Sequence, residues 1–146
     1  MFYMQEFEIF KSEQFYAAFP FDLGGGTEGE TFAEAVEMAG DWLRATIQDA
    51  LMNDRELPSP TFGNEPKEGG KVVLVGIGTT LNDIPSVSAA EAAEMLGVSR
   101  PRVTKMLQTG QLEGWKDGRN TRVTIDSVNA RLEERAAPKK EKLVLA

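Results

Sequence analysis

Apolar and polar positions alternate along the chain with three different periods, and each period predicts a different element. Met4 to Phe10 and Gln14 to Phe19 are rich in aromatic and β-favouring residues and are separated by the polar break Lys11-Ser12-Glu13. This predicts a β-hairpin with Phe7, Ile9, Phe15, Ala17 and Phe19 on one side. Pro20 closes it, Phe21-Asp22-Leu23 is expected as a short third strand, and Gly24-Gly25-Gly26 as a flexible connector. The period then lengthens. Phe32, Ala35, Val36, Ala39, Trp42, Leu43, Ile47, Ala50 and Leu51 recur at three- and four-residue steps, a stripe that must lie on a sheet. Thr31 and Glu34 form a capping-box pattern at its start, and Leu57-Pro58-Ser59-Pro60 is expected to stop it. A nearly unbroken apolar run follows within Lys71 to Leu81, predicting a strand buried on both sides or paired with another chain. Such a strand is also a self-association signal, so a homodimer or higher homo-oligomer is expected.

The pattern changes again at Ser86. Ser88 and Glu91 form a capping box before the stripe Ala89, Ala92, Ala93 and Leu96, and Gly97 stops that helix. Val98 can pack into the bend. Ser99 caps a second helix that tolerates Pro101 in its first turn, where the amide has no intrahelical partner to lose. Val103, Met106 and Leu107 face inward there, leaving Arg100, Arg102, Thr104, Lys105 and Gln108 outside. After Gly110 the run Leu112 to Ile125 alternates around Asp117-Gly118 as a hairpin, a wing with Trp115 in its core, and Asp126 is placed to cap a closing helix.

Charge divides the chain at the same place. Met1 to Pro85 carries 15 acidic and 5 basic residues, and Ser86 to Ala146 carries 8 acidic and 11 basic. The net charge of −7 therefore hides a basic face, and affinity for a polyanion depends on the local face. With no cysteine and no histidine, disulfides, thiolate metal sites and the commonest general base are excluded. The triple glycine lacks the Lys-Ser or Lys-Thr pair that a phosphate loop needs. Glu6, Glu8, Glu13, Asp22 and Glu28 have no spacing that forces them together, so the chain is read as no enzyme and as needing no cofactor or metal. Glu6 and Glu8 share one strand face, which leaves a weak metal site there as an open alternative. No apolar run is long enough to span a bilayer and the start lacks signal-peptide order, so a cytoplasmic protein is expected.

Two resemblances sharpen this reading. Ala89-x-x-Ala92-Ala93-x-x-Leu96-Gly97-Val98-Ser99, the Ser99 to Leu107 helix, Gly110, the Gly118-Arg119 turn and Val123 before Asp126 resemble the excisionase-like branch of the MerR-type helix-turn-helix. The order β-β-β-α-β, with Phe19-Pro20-Phe21-Asp22-Leu23, Gly29-Glu30-Thr31-Phe32-Ala33-Glu34-Ala35, Ala39 and Leu57-Pro58, resembles the N-terminal domain of HicB-family antitoxins, a partly degenerate relative of the ribonuclease H fold. That family more often carries a ribbon-helix-helix or phage-repressor-like C-terminal module, and Gly24-Gly25-Gly26 replaces its usual Pro-Gly or Gly-Cys.

The expected fold class is thus α+β, a ribonuclease H-like β-β-β-α-β domain over 1–82, a linker over 83–87, a winged helix-turn-helix over 88–135 and a flexible basic tail over 136–146. The resemblance implies an antitoxin that binds a small, basic, RNA-cleaving toxin of the HicA family and represses its own promoter. The alternative is a stand-alone transcription regulator or excisionase-like architectural factor with an N-terminal sensing or oligomerisation domain. The residues assigned to double-stranded DNA are Ser99, Arg100, Arg102, Thr104, Lys105, Lys116, Arg119 and Arg122, with Arg100 and Arg102 reading bases and the wing on the backbone or in the minor groove.

Overall fold

The computed structural model describes residues 1–137 and divides the chain into two compact units, Met1–Asp83 and Ile84–Ala146. Each has its own sheet and its own apolar core.

The first unit runs β1 (Phe2–Ser12), β2 (Phe15–Pro20), β3 (Thr27–Gly29), α1 (Phe32–Met52) and β4 (Lys71–Gly78). The strands form one antiparallel sheet in the order β3-β2-β1-β4. One sheet face packs on α1. Phe7, Ile9 and Ala18 from the sheet and Ala35, Ala39, Leu43 and Ile47 from the helix are fully buried there, with the Phe7 ring edge-on to Trp42 at 5.9 Å. At its start, the Thr31 hydroxyl accepts the Glu34 amide at 3.1 Å, one half of the expected capping box, and the Glu34 carboxylate makes no return bond to the Thr31 amide.

Four expectations for this unit are corrected. The hairpin turn lies at Glu13-Gln14, and the register pairs Ile9 with Ala18, so Ala18 shares the inner face with Phe7 and Ile9. Phe15, Ala17 and Phe19 fall on the opposite face, where Phe19 stacks on Phe10 at 5.8 Å. A one-residue change in turn position flips every side chain of a strand, and alternation alone does not choose between the faces. The third strand is Thr27–Gly29, after the glycines, while Phe21-Asp22-Leu23 is a bend. Gly29 is required there: a Cβ would lie 2.5 Å from the Ala35 backbone nitrogen. The helix ends at Met52, before the prolines, because the Asn53 side chain donates to the Asp49 carbonyl at 2.8 Å and Asp54 turns left-handed at φ 50°. Finally, β4 is an edge strand with one face on α1, not a strand buried on both sides.

Because β4 runs antiparallel to β1, the chain leaving α1 must travel back along the sheet before β4 can begin. Residues 53–70 make that journey as a strap tied to side chains of β1. The Tyr3 hydroxyl donates to the Pro58 carbonyl at 2.8 Å, Glu6 accepts the Asn64 amide at 2.9 Å, and Glu8 accepts the amides of Lys67, Glu68 and Gly70 at 2.8 to 2.9 Å.

The second unit contains β5 (Ser86–Ser88), α2 (Ala89–Leu96), α3 (Arg100–Gln108), β6 (Gly114–Asp117), β7 (Asn120–Thr124) and α4 (Ile125–Ala136). Its core gathers Ala92, Leu96, Val103, Met106, Leu112, Val123 and Val128. The segment read as a linker over 83–87 is corrected: Ser86–Ser88 pairs with β7 to complete a three-stranded sheet in the order β5-β7-β6, and the Pro85 carbonyl accepts the Ile125 amide. The closing helix is capped by Thr124, whose hydroxyl accepts the Ser127 amide at 3.2 Å, while Asp126 sits within its first turn. Of the tail expected over 136–146, Ala136 ends α4, and residues 138–146 lie outside the described residues.

Candidate nucleic-acid interface

The link between α2 and α3 is three residues, and each is fixed by its chemistry. Gly97 adopts φ 66°, ψ 35°, the left-handed geometry open to a residue without Cβ, and its amide returns to the Ala93 and Glu94 carbonyls. Val98 packs on the core, and Ser99 opens α3, its hydroxyl accepting the Arg102 amide at 3.2 Å. Upstream, Ser88 and Glu91 make both bonds of the capping box. The backbone bond to Ser88, reinforced by the side-chain bond and by Arg122, holds the Glu91 carboxyl below its ordinary range.

With Val103 and Met106 buried, helical geometry puts Thr104, Lys105 and Gln108 on the outermost ridge of α3. Arg100 and Arg102 flank that ridge, and all five are exposed. The Thr104 hydroxyl donates back to the Arg100 carbonyl at 3.3 Å. Ser99 is engaged as an acceptor, which leaves its hydroxyl proton free for a phosphate oxygen. Among the described residues, Arg100, Arg102, Lys105, Lys116 and Arg119 take part in no ion pair. Unpaired cations on and beside the outer ridge of α3, with two more on the hairpin, are what a polyanion meets.

Arg122 is used otherwise. Its Nε donates to the Ser86 hydroxyl at 3.0 Å and a terminal nitrogen to the Ser86 carbonyl at 2.9 Å, tying β5 to β7. Lys116 and Arg119 are exposed beside the turn between β6 and β7. Trp115 is half-buried in the hairpin. Two cations beside Arg102 escaped the sequence reading. Arg131 and Arg135 of α4 line, with Arg102, Met106, Gln111 and Glu134, a groove of about 300 Å³. Arg131 pairs with Glu134 at 2.8 Å and Arg135 donates to the Leu96 carbonyl. The Arg-Glu spacing of three residues was the available signal.

The first unit's carboxylates do not converge on an open site. Glu8 is only 4% exposed. Burial pushes its carboxyl up, but the Gly70, Lys67 and Glu68 amides outweigh this and hold it below the ordinary range. Glu6 is held low chiefly by the Asn64 amide. Asp22 accepts the Thr61 amide and hydroxyl, each at 2.8 Å. All three carboxylates are thus occupied in fastening the strap.

Residues 87–136 match the family model described as a helix-turn-helix domain. No curated protein matches the chain. A solved structure described as a toxin–antitoxin complex from Streptococcus pneumoniae is similar at 18% identity and a TM-score of 0.41, over 76% of this chain and 98% of that one. No described helix is long and apolar enough to cross a membrane.

Proposed function

We propose that the chain is a DNA-binding antitoxin of the HicB type, whose second unit holds the promoter of its own operon. The observation that carries the DNA half is the exposed, unpaired ridge of α3 within a helix-turn-helix, with Lys116 and Arg119 on the adjoining wing. Helix α3 enters the major groove. Arg100 and Arg102, on its two flanks, are placed for bidentate contact with guanine, Thr104 and Lys105 for nearby bases and phosphates, and the wing cations for the backbone. Two copies on a palindromic operator would use two such helices.

The antitoxin half rests on the sequence resemblance of the first unit and on its charge. A toxin that grips RNA must be basic, and a domain with 15 acidic and 5 basic residues up to Pro85 attracts it and competes for that surface. The HicB-like, ribonuclease H-derived ancestry of this unit and the HicA-like identity of the partner belong to this same proposal, as do the cytoplasmic setting and the absence of catalysis.

The DNA half is tested by titrating the full chain against its own upstream region at several salt concentrations. Salt-sensitive binding that Arg102→Ala weakens by about 1–3 kcal/mol is expected; affinity indifferent to salt would reject it. The antitoxin half is tested by co-expression with the neighbouring reading frame. Relief of that frame's toxicity and joint purification are expected, and toxicity that this chain fails to relieve would leave the rival reading as a transcription regulator.

A further inference from the structure

The sheet of the first unit has two edges, and they are treated differently. On one side β3 is three residues long and pressed against the start of α1, where the space of a Gly29 Cβ is filled by backbone. On the other, β4 offers an eight-residue edge. The direction of its peptide groups follows from the ladder. Met1 and Thr79 exchange both backbone bonds, each at 2.9 Å. Reciprocal pairs recur at every second residue of an antiparallel ladder, so Ile77, Val75 and Val73 turn their peptide groups toward β1. Val72, Leu74, Gly76 and Gly78 turn theirs to an edge that, among the described residues, no strand pairs.

Natural edges are blunted by charges, prolines or bulges. The register of β4 against β1 is unbroken, no proline interrupts it, and its one charge is Lys71 at the very start. Leu74, in mid-strand, is 51% exposed.

We propose that β4 is a dimer interface, pairing antiparallel with β4 of a second copy about a two-fold axis at Leu74 or Val75. These two centres bring outward peptide groups of both copies face to face. They also keep equivalent residues on the same sheet face, so α1 of each copy stays on one side of a continuous eight-stranded sheet. Centres further along the strand shorten the overlap. A second copy is the fitting occupant because the strand complements itself. A closed two-fold interface uses one patch twice. Val73 meets Val75 or Ile77, Leu74 meets its equivalent or Gly76, and no like charges oppose each other between Val72 and Gly78. The sequence alone marks this run as adhesive; the fold supplies the open edge, the outward peptide groups and the symmetry. The proposal stands apart from the DNA and toxin readings, since a monomer that still binds its promoter would reject the dimer alone.

The test uses the full chain in light scattering at tens of micromolar. Twice the 16.0 kDa of one chain is expected, and a monomer would overturn the proposal. Leu74→Lys, at an exposed position, should yield a monomer with the circular dichroism of the parent; a persisting dimer would overturn it. The chain has no cysteine, so single cysteines report cleanly. Under mild oxidation Leu74→Cys or Val75→Cys should cross-link, the stronger of the two marking the axis, while exposed Phe62→Cys should not. Equal cross-linking at Phe62, or none at either strand position, would overturn the interface.

Discussion

The two units spend their charges in opposite ways. In the first, Glu6, Glu8 and Asp22 turn onto backbone amides of the chain's own strap and have little left for a partner. In the second, Arg100, Arg102, Lys105, Lys116 and Arg119 face solvent with no acidic partner among the described residues. The difference teaches that counting charges locates a domain but not its working surface. An acidic domain can consume its most suggestive carboxylates internally, while a chain with a pI near 4.7 can leave a cationic ridge bare.

The contrast can be broken in five ways. Leu43→Ala, in the centre of the first core, should cost about 2–5 kcal/mol in the unfolding of that unit and leave the second unit's transition in place, as calorimetry would show. For DNA binding, the three cations placed on phosphates, Lys105, Lys116 and Arg119, imply a salt slope of about −2.7 per bound copy, so affinity should fall roughly 40-fold between about 50 and 200 mM salt in a fluorescence titration. Glu8→Gln should lower first-unit stability by about 1–3 kcal/mol in denaturant, because an amide cannot accept all three strap bonds. The pH dependence has a definite sign. Glu8 and Glu6 are held below their ordinary range, so their contribution is complete above the unfolded carboxylate value of about 4.3 and is lost as pH falls through the lowered one. The protection of amides in residues 63–70, measured against their intrinsic exchange rates, should therefore fall in acid, an effect Glu8→Gln should blunt. Smallest, Arg122→Ala should cost about 1 kcal/mol of second-unit stability and leave the salt slope of DNA binding unchanged, whereas Arg119→Ala should reduce it.

Much of the second unit was legible because its signals are local. Ser88, Glu91, Gly97, Ser99 and Pro101 each state a backbone conformation within four residues of themselves. Strand β5 was missed because three residues, Ser86 to Ser88, hold no period, and its partner lies beyond two helices. The role of Arg122 followed from that strand and was hidden with it. In the first unit the order of elements and the α1 stripe were readable. The strand faces were not, since Glu13 in a left-handed turn shifts the register by a step that alternation does not record. Nor was the strap: Glu6 and Glu8 look like any carboxylates of a solvated strand face until residues 53–70 are seen crossing it.

The pairing of β1 with β4 joins residues more than sixty positions apart, from Ile9 with Lys71 to Phe2 with Gly78. Closing so large a loop carries an entropic cost that no nearby contact offsets, and folding slows as contacts become less local. During synthesis β1 must therefore wait, paired only with β2, until β4 has left the ribosome. The second unit needs no such delay, since its elements meet neighbours a few dozen residues away.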